Sequence, residues 1–328
     1  MNWNLLGHEW AVDLLREHVA HGRMRHAYLF TGPRGVGRRT LALKMAQVLN
    51  CTQPPAAGEG CGECRNCLRI GKMQHPDLSI IQAEQEGGVL KVDQVRELQR
   101  SLALQPYEAP YRVALLLRFE EAHPSAMNAL LKTLEEPGPQ VVLLLTAESA
   151  ESLLPTIVSR CEVLRLRPLP LEQTSLGLQE NWRLPASEAE LLAHISNGRP
   201  GFALRLHLEP ERMAQRQAWL SDQDRLLRAN RVERFAYAEQ LWKDKEGLRD
   251  EMLVWLSYWR DVIVKASGAS APISNLDRQE EIDQLAEQVG LQTAHRSARA
   301  IQRNLERLER NVNPRLVAEV LMLDLPSL

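Results

Sequence analysis

Short apolar runs and amphipathic helical patterns alternate through the first half of the chain, and few folds accommodate that order. The runs are Ala-Tyr-Leu-Phe-Thr at 27–31, Leu-Ser-Ile-Ile-Gln at 78–82, Val-Ala-Leu-Leu-Leu at 113–117, Val-Val-Leu-Leu-Leu-Thr at 141–146 and Glu-Val-Leu-Arg-Leu at 162–166. The third and fourth are almost wholly apolar, as strands covered on both faces of a parallel sheet must be. Between them, Met127, Leu130, Leu131 and Leu134 form the i, i+3, i+4, i+7 stripe of a helix that Pro137 stops. Strands alternating with helices predict an α/β domain with a mostly parallel five-stranded sheet.

The alternation ends near Arg167-Pro-Leu-Pro170, and no further strand is legible beyond it. Ser187-Glu-Ala-Glu190 has capping-box spacing before Leu191, Leu192 and Ile195, and Asn197-Gly-Arg-Pro-Gly201 then breaks the helix. From about residue 209 the pattern is helical and strongly charged, within the few-residue error of such boundaries. Trp255 and Trp259, four apart, mark a buried helix face, and Asn313-Pro314 reads as the cap and first residue of the last helix. The 328 residues thus divide into an α/β domain at 1–167, a small helical domain at 168–208 and a helical C-terminal domain at 209–328.

Forty basic residues stand against 42 acidic ones, a formal net charge of -2. That balance argues against a protein that coats nucleic acid by neutralising phosphates over its whole surface, and is compatible with a local basic patch. No run of apolar residues is long enough for a membrane span, and the start lacks a secretory pattern, so a cytoplasmic location is expected.

Four of the five cysteines lie in a short insertion at 51–67, spaced Cys51-x9-Cys61-x2-Cys64-x2-Cys67. In a reducing compartment such a cluster reads as a metal site before it reads as disulfides. Four thiolates suit a tetrahedral structural Zn²⁺ and leave no open position for catalysis. An iron–sulfur cluster lacks its usual run here, and unmetallated thiols are the remaining alternative. Cys161 reads as a packed thiol.

Gly32-Pro-Arg-Gly-Val-Gly37 follows the first strand and precedes a helical pattern, the setting of a phosphate-binding loop. In the full motif a lysine and then a hydroxyl residue follow the last glycine, to neutralise phosphate and to ligate Mg²⁺. Arg38 and Arg39 hold those positions, and Thr40 comes one residue late, about 100° round the helix. An arginine can meet a phosphate but cannot ligate a cation. The favoured reading is a degenerate loop without hydrolysis, ahead of weak nucleotide binding without turnover and of an active ATPase. The acidic pair of such a site should end an apolar strand. Here Leu117-Arg118 ends it, and Glu120 and Glu121 come later, read as solvated helix-start residues.

Asn-Ala-Leu-Leu-Lys-Thr-Leu-Glu-Glu-Pro at 128–137 and Ser159-Arg-Cys161 closely resemble the clamp-loader branch of the AAA+ ATPases. Arg25-His26-Ala27, His75-Pro76-Asp77, the loop at 32–37 and the cysteine cluster add to the likeness, which covers about the first 205 residues well and the rest only in helical character. The resemblance implies a subunit of the DNA polymerase III clamp loader, with the same zinc module and a C-terminal oligomerising collar. A spoiled nucleotide site separates it from the ATP-hydrolysing motor subunits, gamma/tau. These, the clamp-opening delta subunit, the sliding clamp and primer–template DNA are the implied partners. The resemblance also places Thr146 where the γ-phosphate is sensed, and puts Arg199 one step early for the second sensor. Arg160 takes the place of an arginine finger that reaches a neighbouring subunit's γ-phosphate. Without the resemblance, Arg160 reads as a surface salt bridge.

Overall fold

The computed structural model describes residues 3, 5–85, 87–310 and 312–328. They gather into two compact units, one of residues 1–174 with 198–202, the other of 175–197 with 203–328.

In the first unit the chain runs α1 (Glu9–Ala20), β1 (Ala27–Thr31), α2 (Arg38–Leu49), α3 (Arg65–Gly71), β2 (Leu78–Ile81), α4 (Val92–Leu102), β3 (Arg112–Leu116), α5 (Pro124–Glu135), β4 (Val141–Ala147), α6 (Pro155–Val158) and β5 (Glu162–Arg165). All five apolar runs are strands, each within a residue of its expected bounds. Every neighbouring pair is parallel, in the order β2-β3-β4-β1-β5. The side-chain period of two sorts each strand between two cores. Tyr28, Phe30, Val113, Leu115, Val142 and Leu144 face one side, where α1 and α2 supply Leu15, Leu41 and Met45. Leu29, Ala114, Leu116, Leu143 and Leu145 face the other, covered by Val95 and Leu98 of α4 and Met127 and Leu130 of α5. The apolar strands are therefore buried on both faces. Parallel pairing also puts the C-terminal ends of β1, β3 and β4 side by side, the edge where open α/β sheets bind ligands.

The helices that follow are α7 (Leu171–Trp182), α8 (Ala186–Ile195), α9 (Pro200–Leu208), α10 (Pro210–Arg228), α11 (Arg231–Leu241), α12 (Lys245–Ala266), α13 (Gln279–Glu309, interrupted at Gly290) and α14 (Pro314–Asp324). No strand occurs here among the described residues. Ser187 is not a cap: α8 begins one residue before it, with Pro185 at the cap position and the Pro185 carbonyl accepting from Ala189 N–H at 2.9 Å. A proline at that point pre-sets the backbone and starts the helix earlier than the serine would. Asn313 does cap α14, its side chain accepting from Arg315 N–H at 3.0 Å. Trp255 and Trp259 are fully buried in the core that α12 forms with α13, while α11 packs on α14. No helix among the described residues is long and apolar enough to cross a membrane.

Candidate functional site

The loop after β1 turns at residues 32–37 and opens α2, with Gly37 as its N-cap. Gly35 has a φ of 84°, and a Cβ there would stand 2.6 Å from the backbone nitrogen of Phe202. Only glycine tolerates both the left-handed backbone and that approach. Two of the loop's carbonyls are held by the protein itself. Gly201 N–H donates to the Gly35 carbonyl at 2.8 Å, and His8 Nε2 lies 3.0 Å from the Val36 carbonyl. Burial lowers the His8 pKa and keeps the ring neutral, so Nε2 serves as the donor.

The residues after the loop divide sharply. Arg39 and Thr40 are exposed, Arg39 donating to the Met73 sulfur at 3.2 Å. Arg38 is buried, with Nη1 at 3.9 Å from Glu120 Oε1. Burial lowers the Arg38 pKa, while Glu120 and then Glu148 oppose that shift. Burial likewise pushes the Glu120 carboxyl up, against the attraction of Arg38.

Glu120 and Glu121 are not solvated helix-start residues. Their side chains are only 15 % and 7 % exposed. After β3 the chain makes a left-handed turn at Arg118 (φ 48°) and a short 3₁₀ turn over Phe119–Glu121, which aims both carboxylates back towards the loop. Sequence counting along a straight helix could not anticipate that turn. Arg118 N–H donates to Thr146 Oγ1 and its Nε donates to Glu121 Oε1, both at 2.9 Å. Thr146 is buried at the end of β4, its hydroxyl committed to this turn. Arg34 Nε donates to Glu148 Oε1 at 2.6 Å, and Arg34 Nη2 lies 3.9 Å from Glu121. Three carboxylates (Glu120, Glu121, Glu148) thus face three guanidiniums (Arg34, Arg38, Arg118). The ends of β1, β3 and β4 carry a charge-balanced cluster, where a Mg²⁺–nucleotide site needs uncompensated carboxylates. Arg199 belongs to the same unit, its guanidinium 4.6 Å over the Phe202 ring and in the field of Glu148. Arg34 and Glu148 escaped sequence reading because neither occupies a position that the phosphate-loop motif names.

The cysteine set is brought together. Cys51, Cys61, Cys64 and Cys67 place their sulfurs within 4.8 Å of one another, and these four could hold a metal ion. The Sγ–Sγ distance is 3.5 Å for Cys51–Cys61 and 4.0 Å for both Cys51–Cys64 and Cys61–Cys67. Tetrahedral Zn²⁺ with Zn–S of about 2.3 Å requires edges of about 3.8 Å, so the four sulfurs fit it. Backbone N–H groups of Cys61, Cys64 and Cys67 donate to Sγ of Cys51, Cys61 and Cys64 at 3.3, 3.2 and 3.4 Å, which holds the sulfurs in place. Cys161 lies apart, half-buried against the sheet core, and burial pushes its thiol up to about 12.

Arg160 follows α6 and does not meet this chain's own loop. Its Nη2 donates to Glu135 Oε1 at 2.7 Å and its Nη1 to the Thr156 carbonyl at 2.9 Å, with the side chain 35 % exposed.

Two family models match the chain. One described as DNA polymerase III, delta subunit, matches residues 7–170, and one described as the C terminal of the DNA polymerase III delta subunit matches 210–326. Over 203 residues the chain is 39 % identical to DNA polymerase III subunit delta-prime of Pseudomonas aeruginosa, covering 60 % of each chain. Over 316 residues it is 31 % identical to the delta-prime subunit of Bacillus subtilis, covering 95 % of this chain and 94 % of that one. It is also 35 % identical over 170 residues to subunit tau of Escherichia coli, covering 52 % of this chain. The chain spans less than two thirds of the Pseudomonas relative and 26 % of tau. With likeness to a delta-prime subunit running nearly end to end, the chain belongs to the DNA polymerase III delta-prime subunit family.

Proposed function

We propose that this chain is a non-hydrolysing assembly subunit of the DNA polymerase III clamp loader, which lends Arg160 to the ATP site of a neighbouring motor subunit. In this reading residues 1–167 form the AAA+ domain, 168–208 a small helical domain and 209–328 the collar through which the chain joins gamma/tau and delta in the cytoplasm. The sliding clamp and primer–template DNA are reached through the assembled complex. Cys51, Cys61, Cys64 and Cys67 hold a structural Zn²⁺, which cross-links the insertion at 51–67.

The charge-balanced cluster carries the proposal. Arg38 lies buried against Glu120, and Thr40 is turned to solvent, so neither the cation nor a hydroxyl ligand for it has its usual place. Arg160 supports the other half, being partly exposed and held by a single carboxylate. A planar, permanently charged guanidinium supplied in trans accelerates phosphoryl transfer by about 10³–10⁵.

The test is ATP hydrolysis by the reconstituted loader, wild type against Arg160→Ala, beside the isolated chain. No turnover alone, with a loss of about 10³ in the assembled variant, is the expected result. Unchanged turnover in an intact assembled variant would leave the chain as scaffold only, and turnover by the isolated wild type would overturn the non-hydrolysing reading. One observation favours a second reading, nucleotide binding without turnover: Glu120 and Glu121 do face the loop. Titration of the isolated chain with ATP and Mg²⁺ separates the two.

A further inference from the structure

Helix α13 shows one face that its own neighbours do not explain. From residue 291 to 305 the sequence holds no acidic residue, while Arg296, Arg299 and Arg303 recur at i, i+3 and i+7. All three are exposed, on the side opposite Ala298, Ile301 and Leu305, which enter the core. Gln292, His295 and Gln302 lie beside them on the same helix surface, and Glu306 follows at its C-terminal end.

An ordinary solvated helix face intersperses both signs of charge, whereas residues 291–305 carry one sign only. Several exposed arginines elsewhere in the helical region pair with a carboxylate on their own helix: Arg225 with Asp222 at 2.8 Å, Arg228 with Asp224 at 3.0 Å and Arg315 with Glu319 at 2.9 Å. Arg296, Arg299 and Arg303 have no such partner among the described residues. Like charges lined up in this way repel one another, and a bound anion relieves that repulsion.

We propose that this face of α13 binds the sugar–phosphate backbone of DNA, independently of sequence. Arginine rather than lysine at all three positions suits bidentate contact with phosphate oxygens. The seven steps from Arg296 to Arg303 rise about 10 Å along the helix, which matches about three phosphates of one strand at ~3.4 Å each. Apart from the imidazole of His295, the exposed residues between 292 and 306 include no apolar or aromatic side chain. With a single imidazole for stacking and no large apolar anchor for a protein partner, the three guanidiniums make phosphate the fitting partner. The site needs neither the phosphate loop nor Arg160, so its test reads independently of the ATPase proposal.

The experiment titrates a fluorescent DNA duplex with the full chain by anisotropy, without nucleotide, at stepped salt. Three phosphate contacts contribute about −2.7 to the slope of log affinity against log salt. The wild type is expected to lose about 40-fold more affinity between about 50 and about 200 mM salt than a variant with Arg296, Arg299 and Arg303 all replaced by alanine. Replacing the three by lysine should retain that slope, and replacing the paired Arg225 and Arg228 by alanine should leave it unchanged. No DNA binding by the wild type, or equal slopes in wild type and triple-alanine variant, overturns the proposal. So does a triple variant that loses binding to polyglutamate while keeping DNA, which would assign the face to an acidic protein partner.

Discussion

Raising the pH is expected to loosen the C-terminal unit through one buried carboxyl. Glu251 on α12 is 1 % exposed, and the Tyr237 hydroxyl lies 2.6 Å from its Oε1 and 3.2 Å from Asp222 Oδ2. One phenolic proton cannot serve two carboxylates. Burial above all, with the nearby charge of Asp222, pushes the Glu251 carboxyl up from 4.5 to about 8, the Tyr237 hydrogen bond opposing. Once protonated, Glu251 donates to the Tyr237 oxygen, and Tyr237 is released to donate to Asp222. The sign follows from where the proton sits. Below 4.5 the carboxyl is protonated folded and unfolded alike, so its contribution is fully present. Between 4.5 and about 8 the folded state keeps a proton that the unfolded state has released, and stability falls with pH. The slope is about 1.4 kcal/mol per pH unit and the total at most about 5 kcal/mol. Of the seven tryptophans, Trp182, Trp219, Trp242, Trp255 and Trp259 lie in this unit, so tryptophan-monitored urea unfolding reports on it. The midpoint is expected to fall between about pH 5 and about pH 9 in the wild type and to stay nearly level in Glu251→Gln, whose amide donates at every pH. Equal slopes in the two proteins would refute the reasoning, because other titrating groups cancel in the comparison.

Three further outcomes are expected. Arg234 is 5 % exposed and donates to the carbonyls of Leu226, Leu325 and Pro326 at 2.9, 2.9 and 2.7 Å, so Arg234→Met should cost about 3–5 kcal/mol in the same unfolding assay. Gly35→Ala should destabilise the first unit by about 1–3 kcal/mol, read as faster hydrogen exchange in α2. Cys61→Ser should lower the zinc content of the purified chain from a single equivalent towards none by elemental analysis, and retention of the metal would remove Cys61 from the ligand set.

The sequence disclosed features that depend on neighbours along the chain. Strand positions were legible because burial on both faces leaves runs such as 113–117 and 141–146 with almost no polar residue. The cysteine cluster was legible because its four members lie in one short insertion, and Asn313 because a cap acts within two residues. What escaped notice depends on distant partners or on one backbone torsion. Glu120 and Glu121 looked solvated because their burial follows from the left-handed turn at Arg118. Glu148 matters only because Arg34, 114 residues earlier, reaches it. The Glu251–Tyr237–Asp222 set joins three helices with no shared motif, and Arg234 binds carbonyls 91 and 92 residues away.

Magnitudes decide whether the bond between Arg160 and Glu135 speaks against the proposed role in trans. Both partners are substantially exposed, at 35 % and 50 %, and such a pair is worth about 0–1 kcal/mol once screening and side-chain entropy are counted. A guanidinium that accelerates phosphoryl transfer by about 10³–10⁵ contributes about 4–7 kcal/mol to the transition state. Release of Arg160 from Glu135 therefore costs a small part of what the transfer gains. Arg38 presents the opposite case, since it is buried and its removal would leave Glu120 as an uncompensated buried acid. Under the proposed function the two arginines would divide the labour: Arg38 would close this chain's own site against a cation, and Arg160, held at the surface by Glu135 and the Thr156 carbonyl, would turn to a neighbour. Glu135→Gln, which keeps the length of the side chain and removes its charge, is accordingly expected to leave ATP hydrolysis by the assembled loader within about threefold of wild type. A loss approaching that of Arg160→Ala would show instead that Glu135 is needed to aim the guanidinium.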